Sequence, residues 1–157
     1  MNKGALISTC EQYRYAAWRV WDQRKDRVAF IGLAPSNADA IENDSFIQRG
    51  QEFAQQWGFG GAYFVNLFAL RGAGSKDIKN AADPVGEVND EWIAKYCNKA
   101  HRVIAAWGND GNLHGRATTV VPQLPSLYCV SKNKSGHPAN LTSVAAHLKS
   151  KRYKPSF

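Results

Sequence analysis

The sequence predicts an α/β domain in which a mostly parallel central sheet lies between two layers of helices. Three observations predict it. Short apolar runs alternate along the chain with segments of helical periodicity, the pattern of parallel strands joined by crossover helices. The length of 157 residues suits one domain (residues 1–157), and a hydrophobic content of 44% can supply its core. No run approaches the ~18 consecutive apolar residues of a membrane span. The first ten residues hold too short an apolar run for a secretory signal, so a cytoplasmic protein is expected.

The elements follow in order. From Tyr13 to Asp22, residues of two sets alternate (Tyr13, Tyr15 and Ala17 against Arg14, Ala16 and Trp18), which suits an edge strand. Val28 to Leu33 is a buried strand that runs into Pro35. Phe46, Ile47, Phe53, Ala54 and Trp57 fit one face of a helix over 45–57, ended by Gly58, Gly60 and Gly61. Ala62 to Phe68 is the next buried strand, followed by a polar loop from Arg71 to Asp83. Asp83-Pro84 suits a helix start, and the helix is expected to reach Ala100 and bury Val88, Trp92, Ile93 and Tyr96. Arg102 to Gly108 is a third core strand, Leu113 to Val121 a helix, Leu127 to Val130 a fourth strand, and Thr142 to Ser150 a last helix.

In open α/β sheets ligands bind beyond the carboxyl ends of the strands. Polar residues gather there: Asn37 and Asp39 after the first core strand, Asn66 and Arg71 after the second, Asn109 and Asp110 after the third, His137 and Asn140 after the fourth. The net charge of +7 favours a polyanionic partner and salt-sensitive association with it. From Lys132 to Lys154 the chain carries lysines and arginines but no Asp or Glu, which reads equally as a solvated tail or as a phosphate-contacting surface. The three cysteines are odd in number and form no CxxC pair, so buried free thiols are expected rather than disulfides or a zinc site. His101, His114 and His147 form no metal-ligand pattern, and no Gly-Lys-Ser/Thr follows Gly32 and Pro35. Neither a metal nor a cofactor is expected, and no obligate protein partner is evident.

Several blocks in one order resemble the DUF1643 family of bacterial and phage proteins. They are Tyr13-Arg14-Tyr15, Gly32-Leu33-Ala34-Pro35-Ser36-Asn37-Ala38-Asp39, Trp57-Gly58 with Gly60-Gly61, Val65-Asn66-Leu67-Phe68-Ala69, Asp83-Pro84-Val85-Gly86 with Asn89-Asp90, and Ala105-Ala106-Trp107-Gly108. The order of motifs is also similar to the uracil-DNA glycosylase superfamily, and that resemblance implies its three-layer fold. There a Gly-x-x-Pro loop places the water-activating group, a strand-end Asn reads the base edge, and a late His-Pro loop stabilises the departing base. Gly32-Leu33-Ala34-Pro35, Asn66 and Gly136-His137-Pro138-Ala139-Asn140 resemble these elements in turn. The chain departs from the family at Ala34, where many members carry Asn, and at Asn140-Leu141, where the usual pattern has His-Pro. Either His137 or Asn140 therefore takes the late role.

The resemblance implies cleavage of an N-glycosidic bond, in which a carboxylate orients water and opposes charge on an oxocarbenium-like sugar. Asp39 and Asp44 are the candidate carboxylates, although Asp44-Ser45 equally suits a helix cap. Asn37 is placed to position a water, and His137 to donate to the charge developing on the base. Asn66 offers a donor and an acceptor side by side to a pyrimidine edge. Gly32, Leu33, Ala34, Pro35 and Asn140 are expected to line the base pocket. Phe46 and Phe68 are candidate stacking platforms or ordinary core. Arg71, Lys132 and Lys134 are candidate DNA-phosphate contacts. The implied substrate is DNA carrying a damaged or modified pyrimidine, including phage-type bases met in antiviral defence. The alternatives are a non-catalytic nucleotide- or DNA-binding module and, third, an enzyme of free nucleosides or nucleotides.

Overall fold

The computed structural model describes residues 1–37 and 42–157. One sheet of seven strands runs through it, in the order β1-β2-β4-β3-β5-β6-β7. Its centre is built from β3 (Arg27–Gly32), β4 (Gly61–Asn66), β5 (Arg102–Ala105) and β6 (Leu127–Cys129), all paired in parallel. These strands are apolar on both faces because both are covered. Helix α1 (Ser45–Gln56) packs Ile47, Phe53 and Ala54 against Val28, Phe30, Phe64 and Ile104 on one face. Helices α3 (Asn89–Lys99) and α4 (Arg116–Val120) pack Ile93, Tyr96, Ala117 and Val120 against Ala29, Ile31, Val65 and Ala105 on the other. Alternation along β3 thus divides the core in two.

The sheet is less parallel than expected. β1 (Asn2–Ile7) pairs antiparallel with β2 (Arg14–Val20), β2 antiparallel with β4, and β7 (Lys151–Arg152) antiparallel with β6. β2 is therefore not an edge: β1, unexpected from the sequence, covers it. The expected loop after β4 contains a short helix, α2 (Ser75–Asn80). The helix expected from Asp83 starts only at Asn89, because Asp83 accepts from the Gly86 N–H at 3.0 Å and closes a turn in which Gly86 has a φ of +94°. The last expected helix is replaced by a single 3-10 turn over Leu141–Ser143. The Val144 carbonyl, which a helix over 142–150 would use, accepts from Arg49 at 2.9 Å, and the Leu148 carbonyl accepts from Trp57 at 3.1 Å, which ties the segment to the α1 region. All three cysteines are free; Cys97 and Cys129 are buried as expected, and Cys10 is exposed. Burial pushes the Cys97 thiol up to about 12. No helix among the described residues is long and apolar enough to cross a membrane.

Candidate functional site

The loops beyond the carboxyl ends of the parallel strands enclose a cleft of about 240 Å³, lined by Leu33, Ala34, Ser36, Asp44, Phe46, Asn140 and neighbouring residues. The chain after β3 is zipped to the chain after β4: the N–H groups of Leu67, Phe68 and Gly72 donate to the carbonyls of Gly32, Leu33 and Pro35 at 2.9–3.0 Å. This fixes Leu33 and Ala34 as one wall. Phe46, in the first turn of α1, forms another, its ring edge-to-face with Phe64.

Asp44 stands at the mouth as the N-cap of α1. Its Oδ1 accepts from the Ile47 N–H at 2.7 Å, and its Oδ2 from the Ser36 hydroxyl at 2.6 Å. The Arg14 guanidinium lies 3.6 Å from Oδ2 and is itself 2% exposed. Burial draws the affinity of Arg14 for its proton down, and the facing Asp44 works against that. The carboxylate is thus held by a cap, a hydroxyl and a buried cation, with its side chain still 16% exposed.

Asn66 closes β4 on the α1 side of the sheet. It is 4% exposed, and its side-chain amide has no hydrogen-bond partner among the described residues. Gly32 lies beside it in register. A Cβ on Gly32 would stand 2.7 Å from Asn66 Oδ1 and 3.2 Å from Phe46 Cζ, so amide, bare backbone and ring meet at one spot. Asn140 reaches the cleft from the opposite wall; its Oδ1 accepts from the Thr142 N–H at 3.0 Å and hydroxyl at 2.9 Å, which leaves its amino group unused.

Other candidates lie elsewhere. His137 is buried on the far side of the sheet, where its Nδ1 accepts from Trp107 Nε1 at 3.1 Å and its ring stacks on Phe157 at 4.2 Å. Trp107 belongs to the core on the α3 face, so the alternation that turns Asn66 toward the cleft turns His137's partner away from it. Of the two candidates for the late role, the cleft contains Asn140. Phe68 is core on that same far face, edge-to-face with His114, and is no stacking platform in the cleft. Pro35 is buried, and Asn37 is exposed, its carbonyl accepting from Arg71 at 2.6 Å. Arg71 also donates to the Glu11 carbonyl, so its guanidinium ties loops together. Lys132 reaches the Lys154 carbonyl, Lys134 is exposed, and Asp39 lies outside the described residues. Arg14 and Ser36 were not singled out from the sequence as site residues; an arginine between the apolar residues of a strand was the available signal.

The model of a family of proteins of unknown function, DUF1643, matches residues 14–139. The chain belongs to the DUF1643 family. The cleft residues from Leu33 to Phe46 and Ala73 fall inside the matched span, as do Arg14 and Asn66 beside them, while Asn140 and Thr142 lie just beyond it. No curated protein and no solved structure matches this DUF1643 chain.

Proposed function

We propose that the cleft takes a modified or damaged pyrimidine base and that the protein hydrolyses its N-glycosidic bond in DNA. The observation that carries this reading is Asn66. Asn66 is 4% exposed and makes no side-chain hydrogen bond among the described residues, which leaves its donor and acceptor to a ligand that replaces solvent there. Asn66 Oδ1 and the Phe46 ring close over the bare Gly32, so the amide stands beside the ring that borders the cleft. Its amide matches the donor and acceptor pair of a pyrimidine edge. Asp44 supplies the charge: water attacks the sugar C1′, the proton passes to the carboxylate, and the base leaves with the electron pair of the broken C–N bond. The Asn140 amino group is free to donate to a base carbonyl. The walls at Ala34 and Ala73 are small, which suits a base with an added substituent, as in modified phage DNA.

The test is incubation of the protein with oligonucleotides containing uracil, hydroxymethylated or glucosylated bases. Abasic sites are expected with at least one, and Asp44→Asn is expected to abolish them while leaving the base bound. Absence of cleavage with every substrate sinks the hydrolytic step. A second reading, a non-catalytic module that holds a nucleotide or DNA end, is favoured by the engagement of both Asp44 oxygens and by the placement of His137 across the sheet. Calorimetric binding of nucleotides without turnover distinguishes it.

A further inference from the structure

At the other end of the sheet, two adjoining hollows of about 490 and 300 Å³ share Trp57 and Arg102. They lie where β3, β4 and β5 begin. The first is walled by the β2–β3 turn (Arg24, Lys25, Asp26), by Phe59 and by His101; the second is walled by Lys149 and Ser150. None of these residues belongs to the cleft described above.

The chemistry of this groove is cationic and aromatic. Arg24, Lys25, Arg102 and Lys149 face it. Of the acids near it, Asp22 pairs with Arg24 at 3.1 Å, and Asp26 lies 3.5 Å from His101, which pairs with it when the imidazole is protonated. Lys25 and Lys149 are exposed with no carboxylate within ion-pair distance among the described residues, and Arg24 is 90% exposed despite its pair. Arg102 is held in place: it donates to the Ser150 hydroxyl at 2.9 Å and lies over the Tyr128 ring at 4.4 Å, with Arg152 on the same ring at 5.6 Å. Trp57 and Phe59 are half-buried and line the hollows, and Phe59 lies 6.0 Å from the His101 ring.

A single phosphate is recognised by donors converging on one point. Here the cations are spread along a groove with rings between them, the arrangement that tracks the backbone of a single strand and offers its bases a surface to stack on. We propose that this groove is a second binding surface, one that takes a single-stranded segment of nucleic acid by its phosphates. The inference does not rest on cleavage of a glycosidic bond or on the base cleft. It adds a contact that reaches the protein from the opposite end of the sheet.

The experiment measures fluorescence anisotropy of a labelled single-stranded dodecamer over a series of salt concentrations. The double variant Arg24→Glu/Lys25→Glu changes only an exposed turn and is checked for an unchanged melting temperature. Its Kd is expected to rise about tenfold or more at low salt, and the slope of log Kd against log salt to fall by about two, one for each lost phosphate contact. Lys76→Glu/Lys79→Glu makes the same charge change at exposed positions of α2, beyond the opposite end of the sheet, and is expected to raise Kd less than threefold. Equal losses in both variants, or none in the first, overturn the proposal, since binding would then follow net charge or use another surface. Preference for inorganic phosphate or anionic vesicles over the dodecamer, read by competition, overturns it as well. Base release from modified oligonucleotides is scored separately, so failure of the groove and failure of the cleft are distinguishable.

Discussion

Asn66 and Asp44 illustrate two ways a polar side chain can be held at a site. Asn66 has no side-chain hydrogen bond among the described residues, so Asn66→Ala is expected to change unfolding free energy by less than about 1 kcal/mol in urea, whereas truncating a hydrogen-bonded buried amide costs about 1–3 kcal/mol. Base binding by that variant is expected to vanish. Asp44 holds up its surroundings. Asp44→Ala removes the α1 cap, worth about 0.5–2 kcal/mol, and leaves the buried Arg14 without its carboxylate, so the total loss is expected to exceed the cap alone. Asp44→Ser restores a cap but no charge; the stability difference between the two variants measures the cap separately from the ion pair. His137 responds to pH. Burial holds its pKa below the usual imidazole value, so the unfolded chain takes up a proton first on acidification. Stability is therefore full above about pH 6.5, the ordinary imidazole value, and falls as pH drops through that range. Protonation also destroys the acceptor that Trp107 uses. Melting curves from pH 7.5 to 5 are expected to show this decline, and His137→Gln to flatten it.

The elements show which sequence signals were strong. Core strands β3, β4, β5 and β6 and helix α1 were legible because period and punctuation agreed: apolar runs, then Gly or Pro, then a helix-period face from Phe46 to Trp57. β1 was missed because its apolar run, Ala5-Leu6-Ile7, is only three residues long and follows Asn, Lys and Gly; its pairing comes from β2. The last helix was over-read because period alone does not reveal that Arg49 claims the Val144 carbonyl and that Trp57 ties Leu148 to the α1 region. Gly50 shows tertiary context overruling propensity. In a helix interior Gly→Ala ordinarily gains about 1 kcal/mol. Here a Cβ would stand 2.5 Å from the Phe64 ring, so α1 lies against β4 only because that position is bare. Gly50→Ala is expected to lower the unfolding free energy by about 1–3 kcal/mol, read in urea.

At the scale of the whole molecule, the positions of the site residues along the strands were readable, and their side of the sheet was only partly so. Of the polar residues noted beyond the carboxyl ends, Asn140 lines the cleft; Leu33, Ala34 and Asp44, which the resemblance implied, line it with Asn140. The sequence could not separate His137 from Asn140, three residues apart on a loop outside any strand, where alternation no longer tells front from back. That loop has a mechanical consequence. One end is anchored behind the sheet by the Trp107–His137 bond and the Tyr153 hydroxyl on the Gly136 carbonyl; the other presents Asn140 to the front. Loosening the rear anchor, for instance by Trp107→Phe, is expected to shift the frontal amide and weaken ligand affinity without touching the ligand, and affinity in such a variant would track the order of a tryptophan-sized space on the wrong side of the wall.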